Sequence, residues 1–485
     1  MMVFKESFQE APCRSACPAH LDIPRYVRAI GEGNFEEALA VVRERLPFPS
    51  VCGRICFHPC ENACNGNHLL GKGPIAIRDL KRFVAERPEA AAGKRPLVPD
   101  TGKRVAVVGA GPAGLTAAYY LRTLGHSVRV FKKKPEPGGM VRFGIPDYRL
   151  PKDILADEIK EILETGIELE TNSQVDSPAG LLDEGFDAVF VAIGAHKSVK
   201  IGIDGEDLPV VLDCLDLMDG LNSGEEVPLG KRVAVVGGGN AAIDAARCAL
   251  RLGCEEVIVL YRRSRQDMPA APSEIADALE EGVKIESLTL ATGISVKDGI
   301  ATVACLRTRL GEMDASGRRR PEPIAGSDFE LVEVDRVVSA IGQEPDIGPD
   351  FGLALGPENA IEVDYETLST GKQGVFAGGD AVTGPASFIE AVAAGRTAAI
   401  SIDRYLGGKG EINIEPAKAE ERVVQTEFQG FPIGDRIKMP SLPIDDRLKG
   451  FAAVEIGFDE GQAVTEAGRC LITNGTGRDS VGERT

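Results

Sequence analysis

Two glycine-rich turns, far apart in one chain, limit what this sequence can fold into. The first is Gly109-Ala110-Gly111-Pro112-Ala113-Gly114 and the second is Gly237-Gly238-Gly239-Asn240-Ala241-Ala242. Each follows a short apolar run, Val105 to Val108 and Val233 to Val236, that reads as a buried strand. Each opens a segment of helical periodicity leading to a further apolar strand. One such turn is weak evidence, because glycine-rich turns are common. Two, each in complete strand–turn–helix–strand context, point to two dinucleotides bound by one polypeptide. Gly109 and Gly111 allow a tight turn and close approach of a pyrophosphate, which meets the positive end of the helix that follows, and Gly114 allows close helix–sheet packing. The expected class is α/β, with two Rossmann-like domains.

Composition narrows the partners. The chain has 485 residues, enough for two to four domains, with 43% hydrophobic and 27% charged residues. A net charge of −19 argues against nucleic acid or anionic membrane as the main partner. Residues 1–100 are the exception, with 14 Lys/Arg against 12 Asp/Glu. No apolar run is long enough to span a bilayer, and the start lacks a signal-peptide layout, so a cytoplasmic location is expected.

Six of the eleven cysteines, Cys13, Cys17, Cys52, Cys56, Cys60 and Cys64, crowd into one stretch. In a reducing compartment such a cluster holds metal in preference to disulfides. Spacing of four would stack the sulfurs on one helix face, but Gly53 and Pro59 argue for an irregular loop of the kind that wraps an iron–sulfur cluster. Zinc with His58 is the alternative, although paired CxxC knuckles are missing here.

Residues 1–98 read as a helical module around these cysteines. Apolar spacing predicts helices over Ile23 to Ile30 and Phe35 to Leu46, with Pro47-Phe-Pro49 ending the second, and a further helix opened by Pro74. A linker rich in Pro, Ala and Gly follows from Pro88 to Gly102. The first dinucleotide fold is expected over 99–204 and the second over 205–334, with hairpins from Val283 onward. The first fold is then expected to resume over 335–410, starting at Val337 and including Gly374 to Asp380 and a helix from Ser387. A tail, 411–485, completes the chain.

The second strand of the first fold ends on Lys132, where an acid normally holds the adenosine ribose. Either the ribose is held otherwise, with Glu136 a candidate, or the site is looser than usual. In the second fold, Arg262 and Arg263 follow the strand Val257 to Tyr261. Guanidinium groups there suit a 2′-phosphate and favour NADP(H), with NAD(H) retained; a solvated charged turn is the alternative. Gly378-Gly379-Asp380 after a strand assigns flavin to the first fold, through an aspartate placed to hydrogen-bond the ribityl–pyrophosphate region.

The chain resembles the small (beta) subunit of glutamate synthase and the similar electron-input module of dihydropyrimidine dehydrogenase. The match rests on Cys13-x3-Cys17-Pro18, Cys52-Gly-Arg-x-Cys56-x3-Cys60-Glu-x2-Cys64, Gly109 to Gly114, Gly138-Gly139-Met140 and Gly144 to Pro151. It continues through Gly237 to Ala242, Tyr261-Arg262-Arg263, Met268-Pro-Ala270, Gly378-Gly379-Asp380 and Met439 to Leu471. The resemblance implies an FAD-, NAD(P)H- and [4Fe–4S]-dependent oxidoreductase that passes single electrons to a partner, either a catalytic subunit in a hetero-oligomer or a ferredoxin-like carrier. FAD would meet Gly111, Pro112, Ala113, Gly139, Met140, Arg149, Gly379, Asp380, Ala386 and Ser387. NADP(H) would meet Gly239 to Ala242, Arg262, Arg263 and Ala340-Ile341-Gly342. No side-chain acid or base is implied as catalytic, since hydride transfer is the cofactors' chemistry.

By the same resemblance, Cys17, Cys56 and Cys60 serve one cluster and Cys13 and Cys64 another. Relatives with two clusters carry a further CxxC upstream of Cys13, which the twelve preceding residues here lack. A Gln or Glu ligand in relatives matches Lys81, which cannot ligate. One [4Fe–4S] cluster is expected, and the second is left open. The segment Glu466-Ala-Gly-Arg469-Cys470 resembles the missing upstream stretch, and reads either as a ligand source or as a remnant; the single cysteine favours the remnant. Disulfide reduction would need a redox cysteine pair beside the flavin, and a non-enzymatic flavoprotein adaptor would not need Arg262 and Arg263.

Overall fold

The computed structural model describes residues 11–66, 71–87, 98–314, 317–412 and 434–471. Most of the expected linker lies outside these residues.

Among the described residues, the longer helices of the cysteine module are α1 (Ile23–Gly31), α2 (Phe35–Arg43), α3 (Pro49–Ile55) and α4 (Ile77–Ala85), with single helical turns at Pro12–Ser15 and Pro59–Asn62. Asp22 and Asn34 cap α1 and α2 by accepting from the backbone N–H groups of Arg25 and Glu37. Two expectations are corrected here. Cys52 lies within α3 rather than in a loop, and Gly53 beside it is a crossing glycine. A Cβ at Gly53 would sit 2.7 Å from the Arg82 Cα, so α3 and α4 pack this closely only without a side chain there. The last helix begins at Ile77, with Pro74 in the extended segment before it.

The first dinucleotide fold is built on β1 (Arg104–Val108), α5 (Pro112–Thr123), β2 (Ser127–Phe131), α6 (Lys152–Leu163), β3 (Glu168–Glu170) and β4 (Ala188–Val191). The second contains β5 (Val211–Asp213), β6 (Arg232–Val236), α7 (Asn240–Arg251), β7 (Glu256–Tyr261) and β8 (Lys284–Ser287). An antiparallel unit of β9 (Thr289–Lys297), β10 (Ile300–Met313), β11 (Arg319–Pro323) and β12 (Phe329–Val334) follows. Next come β13 (Arg336–Ser339), β14 (Val375–Ala377), α8 (Phe388–Tyr405) and α9 (Glu460–Ala467).

The first sheet has the order β14-β4-β1-β2-β3 and the second β5-β13-β6-β7-β8, with all pairs parallel. The return to the first fold at Val337 is thereby corrected: β13 pairs with β6 in register Arg336↔Val233, inside the second sheet. The chain crosses between folds at Lys197–Ser198 and Gln343–Glu344, and these two segments pair antiparallel. The inserted fold therefore ends near residue 342, and β14 restores the first sheet by pairing with β4.

The cysteine module is fastened to the first fold. The buried Glu158 carboxylate of α6 accepts from the backbone N–H groups of Ser50 (2.6 Å) and Val51 (3.0 Å), at the exposed-donor end of α3. Arg396 of α8 donates to the Glu44 carbonyl (3.5 Å), just past α2, and Phe388 of α8 stacks edge-on against Phe48. Residues 434–471 run back over the molecule: the Val454 N–H donates to the Tyr148 carbonyl, and Glu466 accepts from the N–H groups of Ala76 and Ile437, each at 2.9 Å.

Burial pushes the Glu158 carboxyl up from the ordinary 4.5 to about 7, against the two N–H groups that favour its charge. A raised folded-state value means its contribution to stability is full below 4.5 and is lost as pH rises through about 7. The stability difference between the natural protein and Glu158→Gln, followed by denaturant unfolding, is expected to shrink by up to about 3 kcal/mol across that window. A difference independent of pH contradicts this role.

Candidate functional site

Both glycine turns open onto one cavity of about 1180 Å³, larger than the roughly 300–1,000 Å³ typical of a single ligand. The two turns are built alike. A Cβ on Gly109 would lie 2.3 Å from the Ala192 carbonyl oxygen, and one on Gly237 would lie 2.2 Å from that of Ala340. In each fold the glycine lets the turn pass against the end of the neighbouring strand. Gly111 and Gly239 then cap α5 and α7, whose N-terminal N–H groups face the cavity.

On the flavin side, Gly109, Gly111, Pro112, Ala113, Lys132, Gly139, Met140, Arg149, Gly379, Asp380, Ala386 and Ser387 all line the cavity. The Gly138–Gly139 loop closes on the first turn, where a Cβ on Gly139 would come within 2.9 Å of the Gly111 Cα. Gly114 does not line it; its missing side chain admits the Gly109 carbonyl, at 2.0 Å from the Cβ position. Asp380 is pushed up to about 6, chiefly by burial, while the Ala386 N–H donates to it at 3.3 Å. Ser387 is occupied in a capping box with Glu390 at the start of α8.

Lys132 is buried in the wall, and burial together with Lys134 and Lys133 lowers it to about 8. Glu136, the substitute for the ribose acid, instead pairs with Arg142 at 2.5 Å and is absent from the lining. The Arg149 guanidinium is clamped across the two folds, 2.6 Å from Asp244 and 3.2 Å from Glu274. Tyr148 also donates to Asp244, at 2.8 Å.

On the nucleotide side, Gly237, Gly239, Asn240, Ala241, Arg262, Arg263, Ala340, Ile341 and Gly342 line the same cavity. Ala242 is buried behind the turn. The paired arginines divide: Arg262 is exposed at the rim, whereas Arg263 is buried, 2.5 Å from Asp314, and donates to the Arg319 carbonyl. A further guanidinium in the lining comes from Arg318, on the hairpin. His196 also lines the cavity, held neutral by burial and by Lys132 and Lys134, which lower it to about 4.

The cysteines divide spatially into two sets. Cys52, Cys56 and Cys60 surround Lys81, whose ammonium donates to the Cys52 Sγ at 3.0 Å, and Cys17 lies within electrostatic reach of Cys60. Despite burial, these sulfurs hold Lys81 above its ordinary value. Hydrogen bonding from Cys52, the Lys81 charge and the His58 N–H hold Cys56 down at about 5. Four buried thiols beside a buried cation suit an anionic thiolate-bound cluster, which needs exactly this kind of charge compensation and N–H···S bonding. The second set contains Cys13 and Cys64. The His58 side chain faces Glu61, with Nδ1 3.6 Å from its carboxylate.

Residues 103–395 match the family described as pyridine nucleotide-disulphide oxidoreductase, and residues 7–92 match dihydropyrimidine dehydrogenase domain II with its 4Fe-4S cluster. The chain belongs to the pyridine nucleotide-disulphide oxidoreductase family. Relatives include NADP(+)-dependent formate dehydrogenase subunit beta of Moorella thermoacetica, 43% identical over 96% of this chain and 70% of that one. The glutamate synthase [NADPH] small chain of Halomonas elongata is 36% identical over 81% of this chain and 88% of its own length. The fold is shared with Mycobacterium tuberculosis FprA in complex with NADPH, at a TM-score of 0.56 and 21% identity over 64% of this chain and 85% of that one. The likeness to the glutamate synthase small subunit therefore stands, and with it an oxidoreductase using FAD, a pyridine nucleotide and a 4Fe–4S cluster. No described helix is long and apolar enough to cross a membrane.

Sequence reasoning missed His196 and Arg318, which come from segments without a local motif, and Phe57. Phe57 follows Cys56 directly and lines the nucleotide cavity together with Ile55, so the chain that carries the cysteine nest also forms part of the flavin-side wall. Removing the Asp380 carboxylate is expected to weaken FAD retention by about 10- to 100-fold, the range of a lost charged hydrogen bond. Flavin released from Asp380→Ala during equilibrium dialysis checks this, and unchanged retention contradicts it.

Proposed function

We propose that this chain is an NADPH-oxidising electron-input subunit, delivering single electrons from its cysteine module to a partner protein. FAD supplies the change from accepting a hydride to releasing electrons one at a time, and the cluster carries them onward. The residues align and insulate. The turns at Gly109 and Gly237 present two helix N-termini to two pyrophosphates across one cavity. The Arg149–Asp244–Tyr148 contact fixes the spacing of the two folds, and Ile55, Phe57 and Phe388 close the side toward the cysteines.

The single observation that carries this reading is that Ile55 and Phe57, the two residues flanking Cys56 in the chain, both line the cavity, so the flavin side and the thiol nest share one stretch of chain. The preference for NADPH rests on Arg262 and Arg318 at the nucleotide rim, and the relatives named above are NADP(+)- or NADPH-dependent by name. The partner is a catalytic subunit or a ferredoxin-like carrier: the Moorella relative is a subunit beta and the Halomonas relative a small chain. None of the eleven cysteines is joined in a disulfide, which fits a cytoplasmic setting.

A disulfide reductase is disfavoured by the cavity itself. Cys214 is the one cysteine among its described lining residues, and the thiol is buried and raised above its ordinary value. Dithiol exchange needs a second sulfur beside it.

Anaerobic titration of FAD-loaded protein is expected to show flavin bleaching by NADPH at lower concentration than by NADH. Arg262→Ala should raise the KM for NADPH about tenfold, the scale of one solvent-exposed charge contact to phosphate, with little change for NADH. Equal losses with both nucleotides contradict the 2′-phosphate role.

A further inference from the structure

The large cavity contains a buried cation that the chain itself leaves without a counter-charge. β1 and β2 pair in register Val108↔Phe131, and the Gly109 N–H donates to the Phe131 carbonyl at 2.8 Å. Lys132 therefore stands level with the first glycine turn. Its backbone is pinned on both sides: its N–H donates to the Glu170 carbonyl (2.8 Å), and its own carbonyl accepts from the Ser173 N–H (2.9 Å). Its side chain is 8% exposed and lines the cavity. We propose that Lys132 binds FAD as an ammonium, pairing with the anionic pyrophosphate–ribose stretch at a place where an acid normally stands, and that FAD binding thereby takes up a proton. The proposal rests on the reading that the first fold holds FAD.

The charges around Lys132 are engaged elsewhere. Lys134 pairs with Asp219 of the helix Cys214–Asn222, and Asp219 reaches Lys132 only at longer range. Lys133 is exposed, and Glu136 pairs with Arg142. The segment after β4 contributes His196, which burial and the two lysines keep neutral. The Met140–Phe143 turn contributes the Phe143 ring, whose centroid is 5.7 Å from the Lys132 Nζ. Of the acids in the lining, Asp244 is held by Arg149 and Tyr148, and Glu390 by the capping box with Ser387. Asp380 accepts from the Ala386 N–H. Among the described residues no carboxylate pairs with the Lys132 ammonium.

A buried ammonium without a counter-charge is unfavourable, and a lysine with no task keeps its head in water, as Lys133 does. Burial, then Lys134 and Lys133, hold Lys132 down at about 8 in the protein alone. An anion brought beside it reverses that balance and restores its full charge. The N-terminus of α5 faces the same cavity, so the ammonium and the helix end converge on one anionic group. An acid at this place would accept from the ribose hydroxyls and repel the phosphates. The ammonium donates to the ribose oxygens and attracts the phosphates. Asp380, at about 6, and His196, at about 4, change charge below the range in which Lys132 does.

The test is the FAD affinity of flavin-stripped full-length protein, followed by flavin fluorescence, for the natural protein, Lys132→Gln and Lys132→Arg. The natural protein is expected to bind FAD about tenfold more weakly at pH 9 than at pH 7, and to take up about half a proton per FAD at pH 8 in weak buffer. Lys132→Gln should bind about tenfold more weakly than the natural protein at pH 7 and lose nothing further by pH 9. Arginine keeps the charge and does not release its proton, so Lys132→Arg should stay within about threefold of the natural protein at pH 7 and hold that affinity at pH 9. A natural affinity that is the same at both pH values, or a Lys132→Gln that matches the natural protein, overturns the proposal. So does a Lys132→Arg that weakens with pH as the natural protein does, since the titrating group is then another. If Lys132→Gln does not fold, Lys132→Arg and the proton count decide by themselves. Natural protein that binds no FAD at either pH contradicts the flavin reading of the first fold instead.

Discussion

The structure depends on how α3 is held. Its first turn is gripped by the Glu158 carboxylate from the flavin fold, through two backbone N–H groups. Its middle is pressed onto α4 at Gly53, where no side chain fits. Its end runs through Cys56 to Phe57 in the cavity wall. A short helix of this kind has little stability of its own and takes its position from what it packs against. Its anchors lie in different parts of the chain, so the sulfurs of Cys52 and Cys56 are set relative to the flavin side with little freedom. Electron transfer between a flavin and a cluster needs that fixed approach more than any acid or base.

Lys81 completes the electrostatics of the nest. An isolated buried ammonium is expensive, and a buried group of thiolates is equally so. Placed together, with 3.0 Å between Nζ and the Cys52 Sγ, each offsets the other's desolvation. The cation does not ligate, as its chemistry requires; it supplies positive charge and a donor to the sulfurs, which tunes what they bind. Cys52, inside α3 and fully buried, stands where the nest faces that cation.

Much of this was legible because it is local. The two glycine turns announce themselves in a few consecutive residues, and the cysteines cluster in sequence as they do in space. Long-range partnerships were not legible. Gly53 reads as a loop residue until Arg82 is seen against it, and nothing beside Glu158 marks it as the anchor of Ser50 and Val51. Arg263 lines the cavity, but its pairing with Asp314, on a hairpin with no motif, could not be read from the sequence. Val337 and Val338 have the apolar character of either sheet, and strand character alone cannot say which sheet a strand joins. Pairing with Val211 and Val233 does so. Cys470 was visible as a residue, but its approach to Cys13 and Cys64, next to the Glu466–Arg469 pair, is displayed only by the folded chain.

The central claim is that electrons leave the flavin through the Cys56 side of the cavity. Freeze-quench EPR of anaerobic FAD-loaded, cluster-loaded protein mixed with NADPH tests it most directly. The account predicts that a reduced iron–sulfur signal grows in as the flavin absorbance bleaches, and that it is absent when FAD has been removed but the cluster retained. A flavin that bleaches fully while the cluster stays oxidised, although a low-potential chemical reductant can reduce it, would contradict the account.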